Sequence, residues 1–201
     1  MSKPISFRHA LGFLTIGAAV LASTSCADLA RTGTGPAYLI INTLLTSAGA
    51  TSLSSDVSPQ GGLLPVVDRG QATIAAQMKN TQPTAPTPSA LNSITLNRYR
   101  VRFRRSDGQN REGIDVPYGF DGGVTATINI GASQTVQFDL VRPQSKLEPP
   151  LRNLVNAGGL VTSAGGTIVL SVIAEVTFYG SDQAGNDVSA TGTIDVRFAD
   201  F

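Results

Sequence analysis

The chain has 201 residues, with 15 basic and 14 acidic side chains and a formal net charge of +1 at neutral pH. This balance provides no overall field that would draw the protein to nucleic acid, so no nucleic-acid partner is expected. The sequence is rich in glycine, serine, threonine and valine and has no tryptophan, which favours a β-rich domain over a helical enzyme or a disordered chain.

The first 25 residues have the pattern of a signal peptide. Lys3 and Arg8 precede an apolar run of about a dozen residues at 10–22, and small residues follow at 23–25. The run is too short to span a membrane, because a spanning helix needs roughly 20 apolar residues. We therefore predict that residues 1–25 direct export.

The only cysteine in the chain, Cys26, follows these small residues directly. This arrangement resembles the lipobox of bacterial lipoproteins, in which the cysteine is diacylated on sulfur and becomes the new N-terminus. The family usually has leucine three residues before the cysteine, where this chain has Ser23. The resemblance implies a lipid anchor on Cys26, and Ala27 after it resembles the signal for sorting to the outer membrane. The alternative is ordinary signal-peptidase cleavage after Ala27.

Either cleavage leaves a mature domain without imidazole or a free thiol, because the only histidine, His9, lies in the leader. Ser-His-Asp and Cys-His catalysis, zinc sites of histidine or cysteine, and disulfides all need side chains that this domain lacks. We therefore expect a protein that is not an enzyme and has no cofactor.

The mature chain is expected to begin with a flexible, lipid-attached tether at 26–36, followed by one domain at 37–201. A first strand is predicted from residue 38 to about 45, because β-branched and aromatic residues follow one another there. A long polar loop is predicted at 46–63, and a second strand at 72–78.

Residues 81–90 form a Pro/Thr-rich loop, and its prolines cannot be part of an interior strand of a sheet. The stretch after it, SITLNRYRVRFRR at 93–105, has the clearest strand pattern in the chain. Apolar and polar residues alternate along it, with a change of phase near Asn97 that predicts a β-bulge.

Residues 124–130 and 135–141 alternate again, and they are predicted to form a hairpin across a short glycine-containing turn. The only helix predicted is at 146–155, where Pro149-Pro150 confines it to the first turn onward. Gly158 and Gly159 are expected to end it.

The last hairpin is predicted from residues 167–179 and 188–198. Its turn, in VTFYGSDQAGN at 176–186, resembles the last hairpin of many bacterial immunoglobulin-like domains. With seven or eight predicted strands and no βαβ alternation, the chain is predicted to be all-β, an immunoglobulin-like β-sandwich of antiparallel strands with one short helix. The leader and this domain together resemble uncharacterised exported bacterial lipoproteins, a likeness that implies no activity.

Four arginines alternate along the most regular predicted strand, and the period of two places them on one face. Such a row suits an acidic glycan, a lipid headgroup or an acidic envelope protein. The alternative is a solvated face that cross-strand acids, such as Glu175, Asp139 or Asp195, neutralise. The four residues are Arg98, Arg100, Arg102 and Arg104.

The turn of the last hairpin gathers Asp182, Asn186 and Asp187. Their oxygens are ligands of the type that Ca²⁺ takes, although a complete site needs six or more. The alternative is that Asp and Asn stabilise the turn through local hydrogen bonds.

The glycine-rich segment 113–123 carries Tyr118 and Phe120. Exposed aromatic rings there would stack on sugars or enter a partner, and the alternative is that they cap the core. Asp115 and Asp121 flank them, and two carboxylates at a suitable separation are the machinery of glycoside hydrolysis.

These observations lead to three hypotheses of function. The first is a non-enzymatic cell-envelope lipoprotein that serves as a binding or structural module, held in the outer membrane by its lipid and facing the periplasm or the cell surface. The second is a carbohydrate-binding accessory module or weak glycosidase that uses Asp115, Tyr118 and Asp121. The third is a subunit of a surface filament or envelope assembly that pairs an edge strand between copies.

Overall fold

A computed structural model of the chain describes residues 35–58, 64–82, 87–155 and 168–201. The predicted signal peptide, Cys26, most of the tether, and Gly158 and Gly159 lie outside the described residues. In chain order the strands are β1 (Ala37–Thr46), β2 (Ser52–Asp56), β3 (Asp68–Met78), β4 (Ile94–Arg104), β5 (Phe120–Ile128), β6 (Ser133–Val141), β7 (Leu170–Asp182) and β8 (Asp187–Ala199). Among the described residues, one short helix, α1 (Pro143–Leu147), and two 3-10 segments, Ala90–Asn92 and Leu151–Leu154, accompany them.

The strands form two sheets, with the orders β1-β3-β6 and β2-β8-β7-β4-β5. This arrangement confirms the prediction of an all-β, sandwich-like fold. The prediction that all strands are antiparallel is wrong for one pair, because β2 runs parallel to β8.

The core lies between the sheets and centres on an aromatic cluster. The buried ring of Tyr99 in β4 contacts Phe138 edge-to-face at a centroid separation of 5.4 Å, and Phe178 at 6.2 Å. The Tyr99 hydroxyl accepts a hydrogen bond of 3.1 Å from the backbone N–H of Asp139 in the opposite sheet. Burial raises the pKa of Tyr99, so the phenol stays neutral and joins the two layers.

β4 confirms both parts of its prediction. Its inward residues are buried while the alternate ones reach solvent. Its pairing with β5 and β7 shifts register between Leu96 and Arg98, which places the bulge at Asn97. The hairpin of β7 and β8 is also confirmed, with continuous antiparallel pairing from Leu170↔Phe198 to Ser181↔Asp187.

The predicted hairpin of 124–130 with 135–141 is wrong. β5 pairs with β4 in one sheet and β6 pairs with β3 in the other, so the chain crosses between layers at the turn. Gly131 has a φ of 78°, and its N–H donates to the Ala76 carbonyl at 2.9 Å, which fixes the crossing against β3. Alternation of apolar residues marks two half-buried strands here, but it does not say which layer each strand joins.

The predicted loop at 46–63 contains β2, so that part of the prediction is wrong. The strand reads SLSSD and lacks the apolar alternation that identifies strands. Its order comes instead from pairing with the C-terminal half of β8, from Ser52↔Asp195 to Asp56↔Ala199.

The single helix predicted at 146–155 is two separate turns. α1 begins at Pro143, a residue suited to the first helical position because its missing N–H needs no partner there. A cis peptide bond between Pro149 and Pro150 separates α1 from the 3-10 segment that follows. That segment buries Leu151 and Leu154 in the core.

Lys146 of α1 is 2% exposed and lies in a polar cluster under the sandwich. Its Nζ donates to the Asp68 carboxylate at 2.9 Å and to the Asp56 carbonyl at 2.8 Å. Ser55 donates its hydroxyl to the same Asp68 oxygen at 2.6 Å. The cluster joins α1, β2 of one sheet and β3 of the other.

In the described part of the chain, no helix has the length and apolar character needed to cross a membrane.

Candidate binding surface

The outer side of the five-stranded sheet carries the four arginines of β4, here called the arginine face: Arg98, Arg100, Arg102 and Arg104. Their neighbours in β4, Tyr99, Val101 and Phe103, are buried on the inner side. Because strand residues alternate between the two sides, burying these three turns all four guanidinium groups toward solvent. The predicted common face is thus confirmed.

Asp121 of β5 lies opposite Arg100 and binds it through two parallel contacts. Arg100 donates Nε to Oδ1 at 3.0 Å and Nη2 to Oδ2 at 2.9 Å, the fork geometry that makes Arg–carboxylate pairs strong. Arg98 reaches the same carboxylate at 3.5 Å. The hydrogen bond from Arg100 lowers the pKa of Asp121, so this carboxylate is ionised at neutral pH.

A fifth arginine, Arg142, joins this group from the junction between β6 and α1. Its guanidinium lies 4.0 Å above the centroid of the Phe120 ring and donates to the backbone carbonyl of Asp121. Arg98 in turn lies 4.1 Å above the ring of Tyr179. Two guanidinium groups therefore contact the Asp121 carboxylate and a third binds the backbone carbonyl of the same residue, which leaves positive charge in excess.

Arg142 was not predicted to belong to the site. It lies far from β4 in the sequence, and only the placement of β5 beside β4 and of β6 in the facing sheet brings it to Asp121. The sequence has no local signal for this contact.

On the other half of the arginine face, one acid among the described residues forms an ion pair with the row. Glu175 of β7 pairs with Arg104 at 3.2 Å, although it lies directly opposite Arg102 in the strand register. Within the described residues, Arg102 makes no ion pair, and it projects into solvent. It is therefore the arginine of the row that no carboxylate of the described residues binds.

The acids predicted to neutralise this face behave differently from one another. Glu175 does so, as described. Asp139 instead lies on the other sheet beside Arg69, with 3.9 Å between Nε and Oδ1. Asp195 lies on β8, opposite Ile173 and Ser52, where it makes no ion pair with any described residue. Asp121, predicted only as a catalytic carboxylate, is the main neutralising group.

The two aromatic residues of segment 113–123 have different surroundings. Phe120 begins β5 and packs edge-to-face on Tyr99 at 6.4 Å, so it caps the core. Tyr118 is 49% exposed, with its ring across Gly113. Only Tyr118 keeps the exposure that sugar stacking requires.

The proposed carboxylate pair for glycoside hydrolysis has both members bound by arginine. Arg111 donates to Asp115 through Nε at 2.7 Å and Nη2 at 3.2 Å, and this pairing lowers the pKa of Asp115. The pKa of Asp121 is lowered by Arg100 in the same way. A general acid needs a raised pKa, so this pair has the opposite electrostatics.

The turn between β7 and β8 uses its buried carboxylate internally. Asp182 accepts hydrogen bonds from the N–H groups of Ala184 and Asn186 at 3.0 and 2.8 Å, and from the Asn186 side-chain amide at 2.8 Å. Burial opposes ionisation, but these bonds outweigh it and lower the pKa of Asp182. The geometry is that of the turn-stabilising alternative. No group of three metal-ligating side chains forms among the described residues, Asp187 included.

A cleft of about 490 Å³ opens at the far end of β3. Its described lining consists of Gln77, Met78, Asn80, Thr81, Gln82, Thr87, Pro88, Ile130 and Gly131. None of these described lining residues is ionisable.

No protein-family model matches the chain, and no curated protein matches it either.

Proposed function

We propose that this protein is a non-enzymatic binding module of the bacterial cell envelope that recognises an acidic partner through the arginine face. The observation that carries the proposal is the charge of that surface. Arg98, Arg100, Arg102 and Arg104 project side by side, while their ion pairs with described residues involve only Asp121 and Glu175. Guanidinium forks on a rigid strand suit carboxylate, sulfate or phosphate groups.

The proposal includes an immunoglobulin-like class for the sandwich. Strands β1, β3 and β6 form one layer as A, B and E do, while β4, β7 and β8 follow the order of C, F and G. β5 lies beside β4, in the place of the extra strand of variable-type domains. β1 lies in one sheet, and the short β2 pairs in parallel with β8 in the other. Together they correspond to a first strand that is divided between the two sheets.

The proposal also includes attachment to the membrane through a lipid on Cys26. It is supported by the basic start, the short apolar run and the small residues before the cysteine. Two or three acyl chains would hold the domain stably, where a single chain binds reversibly.

Intact mass of the full-length protein, extracted from the membranes of an expressing bacterium, tests the anchor. We expect a chain that begins at Cys26 and carries acyl mass, and a Cys26→Ser variant that loses this mass and leaves the membrane fraction. A mature chain that begins at Asp28 without lipid would contradict the anchor and leave the binding proposal intact.

Substitution of Arg98, Arg100 and Arg102 by serine tests the arginine face. We expect the triple variant to lose retention on surfaces coated with polyglutamate, heparin or anionic vesicles, with its thermal midpoint unchanged because these side chains lie outside the core. The matched control replaces Arg69, Lys79 and Arg152, which are exposed outside the five-stranded sheet and remove the same charge. Equal retention of the two triple variants would contradict the assignment of the arginine face as the binding surface.

A further inference from the structure

We infer that the arginine face takes a linear polyanion, a carboxylated or sulfated polysaccharide, and that Asp121 and Glu175 compete with this ligand for the arginines. The inference rests on the proposed function and names the partner of the same surface. It also says which ligands are selected. Asp121 and Glu175 disfavour small anions, so only ligands with many charges bind well.

The length of the row is the first argument. Neighbouring outward residues of a strand lie about 6.7 Å apart, so Arg98 and Arg104 are separated by roughly 20 Å. One phosphate or carboxylate engages one or two guanidinium groups of such a row. A chain with charges at intervals engages several at once, and each contact after the first forms at high effective concentration.

The state of the individual arginines is the second argument. Arg100 is bound through two contacts by Asp121, and Arg104 is bound by Glu175. A small anion can bind either arginine only by displacing the carboxylate that is already there. The net gain in binding free energy is therefore small. Arg102 makes no ion pair with a described residue and lies between these two, so it offers a polyanion its first contact.

The surroundings of the row favour a glycan over an acidic protein. The sheet presents hydroxyl groups in cross-strand pairs, Thr95 of β4 with Thr127 of β5 at 3.1 Å and Thr177 of β7 with Thr191 of β8 at 2.9 Å. Protein interfaces have a central apolar or aromatic anchor, and the exposed large apolar residues of the described chain lie outside β4, β5, β7 and β8. Exposed Tyr118, just before β5, is an aromatic ring on which a sugar can stack.

Affinity measurements on the full-length chain test the inference, with polygalacturonate and heparin as probes and neutral dextran and monomeric galacturonate as controls. We expect both polymers to bind and both controls to fail. Arg102→Ser should weaken binding of the polymers by about tenfold, since it removes a charge-assisted contact. Asp121→Asn should tighten it by about threefold, since it frees Arg98 and Arg100 from an exposed ion pair.

The matched control is Asp107→Asn, which removes the same charge from an exposed pair with Arg105 beyond the end of β4. If Asp121→Asn binds the polymers no more tightly than Asp107→Asn does, the competition is refuted. If polyglutamate or anionic vesicles bind through Arg102 while both polysaccharides fail, the glycan inference is overturned and the proposed function stands. If none of these polyanions binds, the proposed function fails with it.

Discussion

At the scale of single residues, the core depends on a glycine that gives room to an aromatic ring. Tyr99 lies opposite Gly122 in the pairing of β4 with β5. A Cβ atom at Gly122 would overlap the Tyr99 ring, whereas at the next residue, Gly123, a Cβ would meet open space. The two adjacent glycines therefore have different roles.

Alanine at each of these glycines gives opposite expected results. Gly122→Ala should destabilise the fold by about 1–3 kcal/mol, because Tyr99 must leave its rotamer or β5 must shift. Gly123→Ala should be neutral or slightly stabilising, because alanine restricts the unfolded chain more than glycine does. Chemical denaturation of both variants measures the difference, and equal effects would contradict the packing described for Tyr99.

For the arginines of β4, the sequence predicts the common face but not the ion-pair partners. Their common face follows from a period of two, which is a local property of the strand. Their partners do not follow, because Asp121 meets Arg100 only through the register of β5 against β4 after the bulge at Asn97. Arg142 was missed for a related reason, since its position depends on the opposite sheet.

At the scale of elements, the predictions succeed where order is local. β4 and the hairpin of β7 and β8 have strong alternation and short connections, so sequence alone locates them. β2 has five mostly hydroxylic residues and is ordered by parallel pairing with a strand at the other end of the chain. Such a strand has no pattern of its own to be recognised.

The wrong connection between β5 and β6 has a different cause. Both strands are half-buried and a glycine turn joins them, which is also the description of a hairpin. The contact of Gly131 with the Ala76 carbonyl sends the chain to the facing sheet instead. Prediction of the layer therefore requires knowledge of β3.

At the scale of the whole molecule, the cluster of Lys146 joins parts that no hairpin connects. The ammonium group binds Asp68 of β3 and the Asp56 carbonyl of β2, so it bridges both sheets from α1. Lys146 lies in the predicted helix at 146–155 but has no predicted role, because a buried lysine looks no different in sequence from a solvated one. A buried ion pair adds little to the free energy of unfolding compared with well-packed apolar residues in its place. Removal of one partner lowers that free energy strongly, because the other charge is left buried and unpaired.

Lys146→Met should therefore destabilise the protein by about 3 kcal/mol, since Asp68 loses its cation while 81% of its side chain stays covered. The double variant Lys146→Met with Asp68→Asn should recover part of the loss, because the amide still accepts the Ser55 hydroxyl and carries no charge. Arg152→Met, on the exposed side of the neighbouring 3-10 segment, is the control and should change stability by less than about 0.5 kcal/mol. Urea unfolding of the three variants measures these differences. A Lys146→Met variant as stable as the Arg152→Met control would show that the Lys146–Asp68 ion pair contributes no net stability.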